Sequence, residues 1–138
     1  QIDLITGNPS AKQLVQIFNH LPVDITLVDA DDRVVYFNTP EHRIFPRTKA
    51  VIGRTVQNCH PPKSMHMVQR ILDSFRARKQ DTAEFRITVG GRYVRISYRA
   101  IHDADGSYAG TLEVSQDITD LKGLEGEKRL LDWDESSL

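Results

Sequence analysis

Apolar residues first recur at helical spacing, at Ala11, Leu14, Val15, Phe18 and Leu21. Asn8 can cap such a helix and Pro9 suits its first position, so the spacing predicts a helix over about residues 9–20, ended by Pro22. The pattern then turns strand-like. Ile25 to Asp29 and Arg33 to Asn38 flank Ala30-Asp31-Asp32 and read as a hairpin. Between Thr39 and Cys59, Pro40, Pro46 and Gly53 break the periodicity, leaving short helices and loops around Glu41–Ile44 and Arg47–Ile52. After Pro61-Pro62 the stripe Met65, Val68, Ile71, Leu72 and Phe75 predicts a longer amphipathic helix. It closes on the basic run Arg76–Lys79, which suits the negative end of a helix.

Phe85, Ile87 and Val89 alternate up to Gly90-Gly91, and Val94, Ile96, Tyr98 and Ala100 alternate on the return. A two-residue turn pairs Val89 with Arg92, Ile87 with Val94 and Phe85 with Ile96, which collects the apolar side chains on one face. The following turn, Asp103-Ala104-Asp105-Gly106, decides which face the last strand shows to the core. A three-residue loop with Gly106 in a bulge is expected, because it turns Leu112, Val114 and Gln116 inward and leaves Glu113 outside near Arg95 and Arg99. Beyond Asp117-Ile118-Thr119, the residues Leu121, Leu124, Leu130, Leu131 and Trp133 predict a C-terminal helix, weakened at its start by Gly123 and Gly126.

Composition narrows the function classes. With 138 residues, 39% apolar and 27% charged, the chain reads as one globular domain with room for one core and one internal pocket. Lys plus Arg (18) against Asp plus Glu (19) gives a net charge of −1, so no global field favours nucleic acid or a membrane surface. Apolar runs such as Val34–Phe37 are too short to span a bilayer, and no signal-peptide pattern is present. The single cysteine, Cys59, excludes an intramolecular disulfide and suits a reducing cytosol, which gives a cytoplasmic expectation. A chain that opens on Gln1 is expected to be part of a longer protein. No repeat or low-complexity tract is visible.

The element order, with Leu27-Val28-Asp29, Val34-Val35-Tyr36-Phe37-Asn38, Ile52-Gly53-Arg54 and the closing Gly110 to Asp117-Ile118-Thr119, resembles a PAS domain over residues 21–119. A narrower resemblance rests on Arg43–Lys49, Asn58–Ser64, Leu112–Thr119 and Leu124–Trp133. These segments are similar to the PAS-type domain at the C-terminus of bacterial and archaeal proteins whose N-terminal part is hemerythrin-like. Arg86 departs from that family, which carries an aromatic residue there. The resemblance implies an α+β PAS fold. A five-stranded antiparallel sheet would carry short helices on one face and enclose a pocket, with residues 1–20 and 120–138 supplying N-terminal and C-terminal flanking helices. It further implies a non-enzymatic sensory and interaction module that forms a homodimer through the N-terminal helix. Asp117, Ile118 and Thr119 would pass the state of the pocket to adjacent domains of a longer chain.

The expected ligand contacts are Phe45, Arg47, Asn58, Cys59, His60, Lys63, Ser64, His66, Tyr98 and Gln116. Asn58 to Ser64 gathers polar side chains around two prolines where a PAS pocket would open, although Asn58 and Ser64 equally suit capping and turning. Arg43, Arg47, Lys49 and Lys63 would form a basic rim able to attract a carboxylate. His66, or alternatively His60, is a candidate haem ligand, since haem-binding PAS domains present a histidine from the central helix. The two histidines lack a third ligand for zinc. Asn58-Cys59 resembles the flavin-reactive cysteine of light-oxygen-voltage domains. His60-Pro61-Pro62 replaces the flavin-binding continuation, and Ser115 rather than Gln116 matches the glutamine of their last strand, so a covalent flavin is not expected. Gly90-Gly91 is a hairpin turn and not a phosphate loop, because no helix follows it. No paired carboxylates or nucleophile with its base stand at a recognisable spacing.

Overall fold

A computed structural model describes residues 1–134 and Ser136. Five antiparallel strands, β1 (Asp24–Asp29), β2 (Val34–Phe37), β3 (Thr82–Val89), β4 (Arg92–His102) and β5 (Tyr108–Asp117), form one sheet in the order β2-β1-β5-β4-β3. Helix α1 (Ala11–His20) precedes the sheet, and two 3₁₀ turns (Lys49–Val51 and Val56–Cys59) and helix α2 (Pro62–Arg76) lie between β2 and β3. The α+β sheet-and-helix architecture is the one the sequence predicts, and the strand order brings the two ends of the core side by side at β1 and β5.

The cap of α1 is Ser10 and not Asn8. Ser10 Oγ accepts the Gln13 N–H at 3.1 Å while Gln13 Oε1 accepts the Ser10 N–H at 2.9 Å, so one reciprocal pair satisfies two backbone donors. None of the residues of α1 is buried. The helix is tied down through Phe18, whose ring lies 5.6 Å from that of Tyr36, and through Asn38. Asn38 is fully buried; its Nδ2 donates to the carbonyls of Phe18 (2.8 Å) and Val23 (2.9 Å), and its Oδ1 accepts the Ile25 N–H at 2.8 Å.

The β3–β4 hairpin has the expected register, with Phe85 opposite Ile96, Ile87 opposite Val94 and Val89 opposite Arg92. Gly90 and Gly91 turn the chain at φ +53° and +77°, values that side chains disfavour. The β4–β5 register overturns the expected bulged loop. Ile96 faces Ser115, Tyr98 faces Glu113 and Ala100 faces Thr111, after a shift at Ile101/His102. Thr111, Glu113 and Ser115 are therefore buried on the helix-bearing face, while Leu112, Val114 and Gln116 lie half-buried on the other. Two physical gains explain the inversion: Leu112 and Val114 pair across strands with Leu27 and Ile25, and the charge of Glu113 is met by Arg47.

Helix α2 starts at Pro62, whose missing N–H costs nothing in the first turn, and buries Val68, Leu72 and Phe75. Val68 and Leu72 join Val28 and Val56 in the core. At its far end Arg76 Nη2 donates to Asp32 Oδ1 and, at 2.8 Å, to the Ala30 carbonyl, tying α2 to the β1–β2 turn. That bond to Asp32 also holds the Arg76 guanidinium above its ordinary pKa.

The expected C-terminal helix is absent among the described residues. Leu121–Gly123 form a turn, and the chain to Asp134 is irregular apart from bends, with Leu124, Leu130, Leu131 and Trp133 exposed. An apolar stripe without a surface to bury it against does not overcome two glycines and the cost of nucleating a short helix. The rest of that span, Glu135, Ser137 and Leu138, lies outside the described residues. Among the described residues, no helix is long and apolar enough to cross a membrane.

Candidate sensory site

Between α2 and the sheet lies a small cavity of about 10 Å³, lined by Val28, Val56, Val68, Ile71, Leu72, Tyr98, Thr111 and Glu113. That volume is close to the space of a single water. One wall is aliphatic and the other ends in a phenol, a hydroxyl and a carboxylate. Burial, reinforced by the negative charge of Glu113, pushes the Tyr98 phenol well above its ordinary pKa. Thr111 Oγ1 is already bonded to the Tyr108 hydroxyl at 2.6 Å.

Glu113 is neutralised by a side chain from the irregular segment between the two hairpins. Arg47 Nη2 stands 3.4 Å from Glu113 Oε1, and Arg47 Nε donates to Thr26 Oγ1 at 3.2 Å. Arg43 is bound more tightly still. It donates to the carbonyls of Asn38 (3.1 Å), Phe45 and Ile25 (3.1 Å) and to Thr26 Oγ1 (3.2 Å), and lies 3.5 Å from Asp24 Oδ2. Asp24 in turn accepts the N–H groups of Ile44 (2.8 Å) and Phe45 (3.1 Å). Burial lowers the Arg43 pKa, partly offset by Asp24. The expected basic rim is corrected here: Arg43 and Arg47 are internal and each faces a carboxylate, which leaves Lys49 and Lys63 as its exposed members.

Of the predicted contacts, Tyr98 lines the cavity and Arg47 touches it through Glu113. Phe45 is half-buried and held by its backbone N–H on Asp24. Gln116 lies on the opposite face, across from Arg95, because of the β5 register. The Asn58–Ser64 segment satisfies itself locally: Asn58 Nδ2 donates to Thr55 Oγ1 (2.9 Å), His60 Nδ1 lies 2.9 Å from the Val56 carbonyl, and Ser64 Oγ donates to the Pro61 carbonyl (3.3 Å). Cys59 is half-buried at the end of its 3₁₀ turn, and Lys63 and His66 are exposed. The geometry does not fit a haem. His66 faces solvent, and a cavity of about 10 Å³ has no room for a macrocycle. The sequence reading missed Glu113, Asp24, Thr26 and Asn38 as interior polar residues. The available signal was a carboxylate in a strand and two arginines in a nearby irregular stretch, each otherwise costly to bury.

The exit from the core is built on the predicted Asp117-Ile118-Thr119. Asp117 Oδ1 accepts both the N–H (3.0 Å) and the hydroxyl (2.6 Å) of Thr119, which lowers the Asp117 pKa. Thr119 Oγ1 accepts the Tyr93 N–H at 2.8 Å, and the Ile118 N–H donates to the Tyr93 carbonyl at 2.8 Å. Beside it a cleft of about 430 Å³ is bordered by Leu21–Asp24, Pro40, His42, Ile44, Arg92 and Asp117.

A five-stranded antiparallel sheet carrying one long helix and short turns on a single face, closed over a small cavity, defines the PAS-like class of α+β domains. A family profile described as PAS domain matches residues 14–119, and the chain belongs to that family. It is similar to the C-terminal domain of a protein from Streptococcus mutans, with 35% identity, a TM-score of 0.78 and coverage of 86% of this chain and 94% of that one. It shares its fold with the PAS domain of a protein from Colwellia psychrerythraea (19% identity, TM-score 0.56, 79% and 97% covered). The same holds for a sensory box sensor histidine kinase from Vibrio cholerae (17% identity, TM-score 0.56, 78% and 90% covered). A search of curated proteins found no match.

Proposed function

We propose that this PAS domain is a sensory, non-enzymatic module of a longer cytoplasmic signalling chain, of the type that follows a hemerythrin-like domain, and that it reads a small molecule taken into the cavity beneath α2. The supporting observation is that one strand carries both ends of the relay. Glu113 lines the cavity, and Asp117, four residues on and on the same face of β5, opens the exit motif. A ligand that prefers an expanded cavity shifts α2 from the sheet, disturbs the Arg47–Glu113 pair and biases the Asp117–Thr119 clasp. Its apolar body would face Val28, Val56, Val68 and Leu72, and a hydrogen-bond donor would face Glu113. Self-association through α1 belongs to the same reading, since Val15 and Ile17 of that helix are exposed.

Native mass spectrometry of the chain purified from its host, paired with a cavity-filled Leu72→Trp variant, tests this. The expected result is a co-purifying small mass that the variant loses, with altered hydrogen exchange at the Ile118 amide. No retained mass, together with identical Ile118 exchange in both proteins, overturns the reading.

A further inference from the structure

The two edges of the sheet are treated differently. At the β2 edge the Val34 N–H donates to the Arg54 carbonyl and the Gly53 N–H to the Val34 carbonyl, both at 2.9 Å, and Arg33 bridges to Thr55. The other edge, β3, pairs among the described residues only with β4. The two-residue Gly90-Gly91 turn makes Val89 and Arg92 a hydrogen-bonded pair, so Ala83, Phe85 and Ile87 also direct their backbone groups to β4. Thr82, Glu84, Arg86 and Thr88 therefore direct theirs outward. All four are exposed, and among the described residues their N–H groups have no recorded backbone partner outside the ladder. Such an edge is a template for another strand.

We infer that this edge pairs with β3 of a second copy, antiparallel and centred on Phe85. Charge selects that register. Centring on Glu84 would set two carboxylates opposite each other, and centring on Arg86 would oppose two guanidiniums. Centring on Phe85 places each Glu84 opposite Arg86 of the other copy, twice by symmetry, and it does so at positions whose backbone groups point outward. Within one copy, among the described residues, Arg86 has only a 3.9 Å contact to Glu84, which is held instead by Arg95 at 2.7 Å. The same register sets Ala83 against Ile87, which is 39% exposed, and so covers apolar surface on the helix-bearing side. The contact is separate from α1, which is anchored at the β2 edge through Tyr36 and Asn38. Two copies joined this way extend the sheet across ten strands, and each cavity wall becomes continuous with its neighbour through β4 and β3.

Sedimentation equilibrium of the whole chain provides the test. Arg86→Glu is expected to weaken self-association about tenfold, and the swap Glu84→Arg with Arg86→Glu to restore it, because only paired positions can exchange charges. Thr88→Pro removes an outward N–H without touching the β3–β4 ladder and is expected to weaken association while circular dichroism stays unchanged. A wild-type chain that remains monomeric at millimolar concentration overturns the inference. So does association that Arg86→Glu leaves intact and Val15→Glu with Ile17→Glu abolishes, an outcome that places the contact on α1.

Discussion

Glu113 of β5 and Arg47 of the irregular segment face each other inside the domain, with 3.4 Å between Oε1 and Nη2 and little of either side chain exposed. An interior pair of this kind is costly to break from one side only. Arg47→Leu strands a carboxylate in the core and is expected to cost about 3 kcal/mol, whereas Arg47→Leu combined with Glu113→Leu recovers most of that loss. Urea unfolding of the two single variants and the double variant checks the non-additivity.

The β5 register also marks where sequence reasoning ran out. The β3–β4 hairpin was legible because a two-residue glycine turn and strict alternation both act locally and agree. For β5 the local rule, leucine inward and carboxylate outward, pointed to the wrong face. The group that neutralises Glu113 lies 66 residues away in sequence, and no periodicity reports it. In the Asn58–Ser64 segment, dense enough in polar groups to suggest a ligand, Asn58, His60 and Ser64 meet hydroxyls and carbonyls within four residues. The C-terminal helix was legible only as an amphipathic stripe, and a stripe forms a helix when something covers it.

Alkaline titration separates the four tyrosines. Tyr98 and Tyr108 both have phenol pKa values raised by burial, so ultraviolet difference spectra should show two phenols ionising later than an ordinary tyrosine. Because the folded pKa values lie above the unfolded ones, the associated stability is fully present below about pH 10 and declines above it. Tyr98→Phe is expected to remove the latest step of the titration and to flatten that decline.

Asn38 closes the junction between α1 and the sheet with three backbone partners. Asn38→Ala leaves the carbonyls of Phe18 and Val23 and the Ile25 N–H without their bonds, at an expected cost of about 3 kcal/mol. Hydrogen exchange should show α1 opening well before α2 in this variant.

Gly110 allows β5 to pass against β1 at φ +149°, where a Cβ would stand 2.2 Å from the Val28 carbonyl oxygen. Gly110→Ala therefore has to displace backbone and is expected to destabilise by at least about 2 kcal/mol in thermal or urea unfolding.

Thr119→Ala tests the exit clasp. The loss of the Thr119 hydroxyl frees the Tyr93 N–H and leaves Asp117 with only the residue 119 backbone N–H, both at the surface, so global stability should change by less than about 1 kcal/mol. Limited proteolysis at Lys122 is expected to accelerate, and an unchanged rate would show that the clasp does not hold the segment.

The pairing of β1 with β5 also fixes how the domain responds to being pulled. Asp24, where the chain joins the sheet, is opposite Ser115, close to where it leaves. Tension applied through the two flanking segments therefore has to strip Ile118 from Tyr93 on one side and the Phe18 and Val23 carbonyls from Asn38 on the other before it opens β1 from β5 one rung at a time, starting at Asp24–Ser115. The ladder is loaded as a zipper and not in shear, so its bonds yield in succession. A pull on the flanks therefore reaches the β5 wall of the cavity rung by rung.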